Sequence, residues 1–60
     1  MNPTESFWTL QTAMRYGGSF IKVVALAGTK ADPVNLKRLL DAFPEIVKQY
    51  GPSSILYLRK

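Results

Sequence analysis

The 60-residue sequence contains no cysteine and no histidine. The first absence excludes a disulfide staple. Together the two remove the side chains from which zinc sites are chiefly built. They also take away the commonest general base and the strongest nucleophile. Acids are scarce: Glu5, Asp32, Asp41 and Glu45 stand against eight lysines and arginines, for a net charge of +4. No apolar run approaches the roughly 20 residues that cross a bilayer. The longest, Phe20 to Gly28, is interrupted by Lys22. The N-terminus lacks the basic start that precedes the apolar stretch of a secretion signal, so the cytoplasm is the expected compartment. There are no internal repeats, low-complexity segments or linkers, and one small domain over 1–60 is expected, with 52–60 as its tail.

What is present reads as helix. The 47% hydrophobic content is too high for a disordered chain. Asn2-Pro3-Thr4-Glu5 has the cap, first-turn proline and reciprocal acid of a helix start. Phe7, Leu10 and Met14 then recur at i, i+3 and i+7, with Ser6, Thr9, Gln11, Thr12 and Arg15 on the opposite side. Gly17-Gly18 is the expected stop, through the left-handed conformation open to glycine. Ser19 is the expected cap of a second segment. Its Phe20, Val23, Val24 and Ala27 fit one helical face, and Ile21 and Leu26 add apolar surface around it. That pattern predicts a helix buried nearly all round. A strand competes for residues 20–27, because Phe20, Ile21, Val23 and Val24 favour sheet. Alternation fails at Val23-Val24-Ala25-Leu26, which favours the helix.

Asp32-Pro33 opens a third helix with the face Leu36, Leu39, Leu40 and Phe43. Pro44 interrupts it by removing a backbone donor, and it disfavours helical geometry at Phe43. A short fourth helix carrying Ile46, Val47 and Tyr50 follows, closed by Gly51-Pro52. The fold class expected is therefore all-α: a small bundle of three to four short helices, the third broken at Pro44. The apolar tail, with Ile55, Leu56, Tyr57 and Leu58 in succession, either folds back onto the helices or extends to add to another chain.

No residues emerge as catalytic, cofactor-binding or metal-binding, and no small-molecule substrate is evident. Asp32 is explained by capping. Asp41 and Glu45 fall on a solvated face at ion-pair spacing from Lys37 and Lys48. Gly17-Gly18-Ser19 lacks the spacing of a phosphate loop and reads as a turn. Two binding readings remain. Small chains without disulfides or metals commonly lean on a partner subunit. Trp8, at the edge of its stripe, and the tail residues Ile55, Leu56, Tyr57 and Leu58 are the expected protein-binding surface, serving a homodimer or another protein. The alternative is a helix-turn-helix DNA-binding regulator, with Asn35, Lys37 and Arg38 offered to a groove. A membrane-surface role is disfavoured, because no helix has cations along its whole polar face.

The runs YGGSF at 16–20, AD at 31–32 with Asn35, AFPE at 42–45 and YGP at 50–52 resemble small hypothetical proteins of bacteriophages and prophages. The resemblance spans about two-thirds of the chain. It rests on caps, turns and core positions, and carries no functional residue. It implies a phage-type accessory or inhibitor protein acting in the host cytoplasm by binding a macromolecule.

Overall fold

The computed structural model describes residues 1–58, and every regular element among them is helical. Helix α1 runs Pro3–Tyr16, α2 Ser19–Thr29, α3 Pro33–Ala42 and α4 Pro44–Tyr50. The starts follow from the local chemistry. Asn2 Oδ1 accepts from the Glu5 N–H at 2.8 Å, and Glu5 Oε1 accepts from the Asn2 N–H at 3.1 Å, which closes a capping box. Asp32 Oδ1 accepts from the Asn35 N–H at 2.7 Å, with Pro33 in the first turn of α3. Residues 20–27 are helix, so the helical face prevails over sheet propensity.

The joints differ from the sequence expectation in detail. Gly18 caps α2, and it makes no side-chain cap bond. Ser19 is already the first helical residue. No glycine among the described residues has positive φ, so the left-handed stop at Gly17-Gly18 is not used. Gly17 is extended, at φ −74° and ψ 158°. Space decides its identity: a Cβ there would lie 2.6 Å from both the Ala13 carbonyl oxygen and Ile21 Cγ2. The break at Pro44 is as expected. Phe43, at φ −123° and ψ 67°, leaves helical geometry and serves as the last cap of α3 and the first of α4.

Helix α1 packs on α2 and on α4, and α3 packs on the same two helices. The fully buried apolar residues are Leu10 and Ala13 of α1, Ala25 of α2 and Ile46 of α4. Met14, Ile21, Val24, Leu36, Leu39, Leu40, Phe43 and Tyr50 pack around them, half-buried. Two faces depart from the pattern of apolar residues. On α1, Ser6, Thr9 and Thr12 are buried, although they belong to the side expected in solvent, and Phe7 is exposed. The threonines tolerate burial because each hydroxyl donates to the carbonyl four residues back: Thr9 Oγ1 to Glu5 O and Thr12 Oγ1 to Trp8 O, both at 2.7 Å. On α2 the inward side holds Ile21, Val24, Ala25 and Gly28. Phe20, Val23 and Leu26 face outward, so α2 is not buried all round. Small residues take the inward position because α1 comes close: a Cβ on Gly28 would meet Leu10 Cδ2 at 2.9 Å.

After α4 the chain turns back. The Ser54 N–H donates to Gly51 O at 2.9 Å and the Tyr57 N–H to Ser54 O at 3.2 Å. Ser54 Oγ donates to Gln49 O at 2.6 Å and accepts from the Leu56 N–H at 3.1 Å. The Leu58 N–H then donates to Thr12 Oγ1 at 2.8 Å. Through residue 58 the tail therefore folds onto α1 and is not an extended strand; Arg59 and Lys60, also assigned to it, lie outside the described residues. The radius of gyration, 9.9 Å, matches the roughly 10 Å of a folded chain of this length.

Candidate functional site

The hydrogen bond from Leu58 to Thr12 holds the tail against α1. There a hollow of about 450 Å³ is lined by Asn2, Thr4, Glu5 and Trp8 from the helix start and by Pro52, Ser54 and Tyr57 from the tail. Trp8 and Tyr57, far apart in sequence, thus share one concavity. Both are half-buried. Phe7 meets Trp8 edge-on, with ring centroids 5.0 Å apart, which restrains the indole. The hollow combines two aromatic walls with the polar groups of Asn2, Thr4, Glu5 and Ser54. Glu5 and Asn2 hold each other in the capping box, and Ser54 is tied to Gln49, so this polar lining is largely fixed in place.

The remaining tail residues divide. Ile55 is 100% exposed and Leu56 38%, so both present apolar surface outward from the turn. Leu58 is half-buried beside α1. An isoleucine left wholly in water gains nothing for the folded monomer, since burial is what makes an apolar side chain stabilising.

The residues of the DNA reading all lie on the exposed side of α3. Lys37 Nζ donates to Asp41 Oδ2 at 3.1 Å, an i, i+4 pair in which both side chains remain largely solvated. Asn35 and Arg38 carry no side-chain hydrogen bond or ion pair among the described residues. Asp41 therefore sits among the cations that would approach phosphates, and it occupies one of them. The second pair that spacing permits, Glu45 with Lys48, is not formed. Another groove, about 530 Å³, opens between the start of α1, α3 and α4. Its lining includes Met1, Leu36, Leu40 and Val47, with Lys37 and Asp41 beside them.

Among the described residues, no group of three acidic, histidine or cysteine side chains is placed to hold a metal ion. Among the same residues no helix is long and apolar enough to cross a membrane. The outward stripe of α2 was not singled out as a surface in the sequence, because its residues fit a core face as well as they fit an exposed one. The available signal was its neighbourhood: between Glu5 and Asp32 every charged residue is a cation. No protein-family model, curated protein or solved structure matches the chain.

Proposed function

We propose that this chain is a small, non-enzymatic protein-binding module that works through the surface formed by Trp8 and the folded-back tail, and that self-associates there. The observation that carries the reading is the shared hollow of Trp8 and Tyr57 next to the fully exposed Ile55. Tryptophan and tyrosine supply large, stiff contact area with a polar handle, the usual make-up of an interface hot spot. The thin inventory of bases and nucleophiles supports the non-enzymatic reading. The resemblance to small phage proteins supports an accessory or inhibitor role in a host cytoplasm.

Sedimentation velocity over a range of protein concentrations tests the proposal. The wild-type chain is expected to sediment faster than a monomer as concentration rises, and Ile55→Ser is expected to return it to the monomer without loss of helical signal. A stable monomer whose residues 53–58 can be deleted without loss of folding would overturn it.

A DNA-binding reading draws on the exposure of Asn35, Lys37 and Arg38 along α3. Fluorescence anisotropy with random-sequence duplex separates the two. Binding at low salt that collapses steeply as salt rises supports DNA recognition, and no binding at low salt removes it.

A further inference from the structure

The stretch between Glu5 and Asp32 carries three cations, Arg15, Lys22 and Lys30, and no acid. All three are exposed. Among the described residues the one ion pair is Lys37 with Asp41, so none of the three is neutralised there. Helix α2 lies wholly inside this stretch. Its outer face holds Phe20, Val23 and Ala27 at i, i+3 and i+7, with Leu26 alongside. Phe20 is 63% exposed, Val23 64% and Leu26 43%. Phe20 meets Phe43 edge-on at 5.8 Å between ring centroids, which fixes one end of the stripe against the α3–α4 break.

These three side chains leave roughly 300 Å² of apolar surface in water, comparable with the largest single patch on many whole monomers. Two occupants compete for it. A second copy laying α2 against α2 would join two such patches into roughly 600 Å² of apolar contact, at the small end for a stable interface, which buries roughly 1,200 Å² or more in total with a little over half of it apolar. It would also set Lys22 and Lys30 of one copy against the cations of the other. A longer helix with an apolar stripe flanked by carboxylates resolves both difficulties. It runs past the ends of α2 and buries more surface, and its acids meet the unpaired lysines.

We propose that the outer face of α2 docks an acidic amphipathic helix of another protein. The proposal rests on the protein-binding reading in kind but uses a different face from Trp8 and the tail. Phe20, Val23 and Leu26 supply the apolar contact. Lys22 and Lys30 set the charge preference and, with it, the choice of partner.

Two labelled synthetic helices of roughly 20 residues, about 30 Å long, test it by fluorescence anisotropy on the intact chain. Both carry leucine at a and d; one has glutamate at e and g, the other lysine. The glutamate helix is expected to bind at least about tenfold more tightly at low salt, with the gap narrowing in about 0.5 M salt. Val23→Glu, at an exposed position, is expected to abolish that binding while circular dichroism stays unchanged. Lys22→Glu is expected to shift preference toward the lysine helix. Equal affinities, no binding of either helix, or binding untouched by Val23→Glu would each overturn the proposal. So would binding of the wild-type chain to phosphatidylglycerol vesicles, abolished by Val23→Glu, in the absence of any peptide preference, since the face then belongs to lipid. If Ile55→Ser abolishes peptide binding and Val23→Glu does not, the α2 site falls and the tail surface remains. A chain that neither binds peptide nor self-associates loses both.

Discussion

The Thr12 hydroxyl donates its proton to the carbonyl of Trp8 and accepts the Leu58 N–H through the same oxygen. One buried side chain thus satisfies itself within α1 and fastens the end of the tail. Valine has nearly the same shape and neither function. Thr12→Val is therefore expected to cost about 1 kcal/mol, most of it from leaving the Leu58 donor without its acceptor. Urea unfolding measures the loss, and faster hydrogen exchange at the Leu58 amide places it in the tail. Gly28 makes a second residue-scale case, governed by space. Alanine would improve helix propensity by up to about 1 kcal/mol. Its Cβ, however, would press on Leu10 Cδ2 at 2.9 Å and Cδ1 at 3.2 Å, and Leu10 is itself buried. Overpacking of this kind costs about 1–3 kcal/mol, so Gly28→Ala is expected to lower the urea midpoint. A raised midpoint would mean that α1 and α2 are less closely packed than the structure has them.

At the scale of the element, α2 is the helix least supported by its own ends. Gly18 holds the extended geometry of a cap, φ −69° and ψ −179°, without a side chain to use it. A Cβ there meets nothing within 4 Å. Gly18→Asp is expected to stabilise the chain by about 0.5 kcal/mol, through a new bond to the second or third helical N–H and a favourable charge at the helix start. A thermal melt at low and high salt separates the two contributions, because only the charge term is screened. The starts of α1 and α3 and the break before α4 were legible in the sequence because they are local chemistry: Asn2 bonds Glu5, Asp32 bonds Asn35, and Pro44 acts on the residue before it. The cap of α2 was not, since Gly18 takes the place expected of Ser19. Nor were the inward faces of α1 and α2. Counting apolar residues points Phe7 and Phe20 inward and Thr9 and Thr12 outward. Close helix packing selects instead for small volume and internally satisfied hydroxyls, and neither quantity enters that count. For the same reason Trp8 and Tyr57 could be named as surface candidates, whereas their shared hollow could not. It requires the tail to fold back onto α1, a long-range contact that the Leu58–Thr12 bond marks.

For the whole molecule, size is the governing constraint. A core in a chain of this length rarely supplies more than about 3–5 kcal/mol, and here the wholly buried apolar set is Leu10, Ala13, Ala25 and Ile46. Ile46 is the largest side chain among the fully buried residues. It is the buried residue of the seven-residue α4, which packs on α1. Ile46→Ala removes apolar contact and leaves a cavity, at a cost of about 2–5 kcal/mol. That is comparable with everything holding the monomer together. The variant is expected to lose most of its far-UV helical signal at 25 °C, or to melt at least about 8 °C lower, given about 4–8 °C per kcal/mol for a domain of this size. Ile55→Ala deletes an equally apolar side chain from a position that is 100% exposed, and the melting point of the monomer is expected to stay within about 4 °C of wild type. The pair separates the core from the proposed binding surface. The tail leaves α4 at Gly51, so loosening α4 also releases the segment that carries Tyr57 to Trp8. Ile46→Ala should therefore weaken self-association even at temperatures where some helix persists, whereas Ile55→Ala should weaken association with the fold intact. Equal, small shifts from both substitutions would show that α4 does not hold the core, and the hollow between Trp8 and the tail would then lack its support.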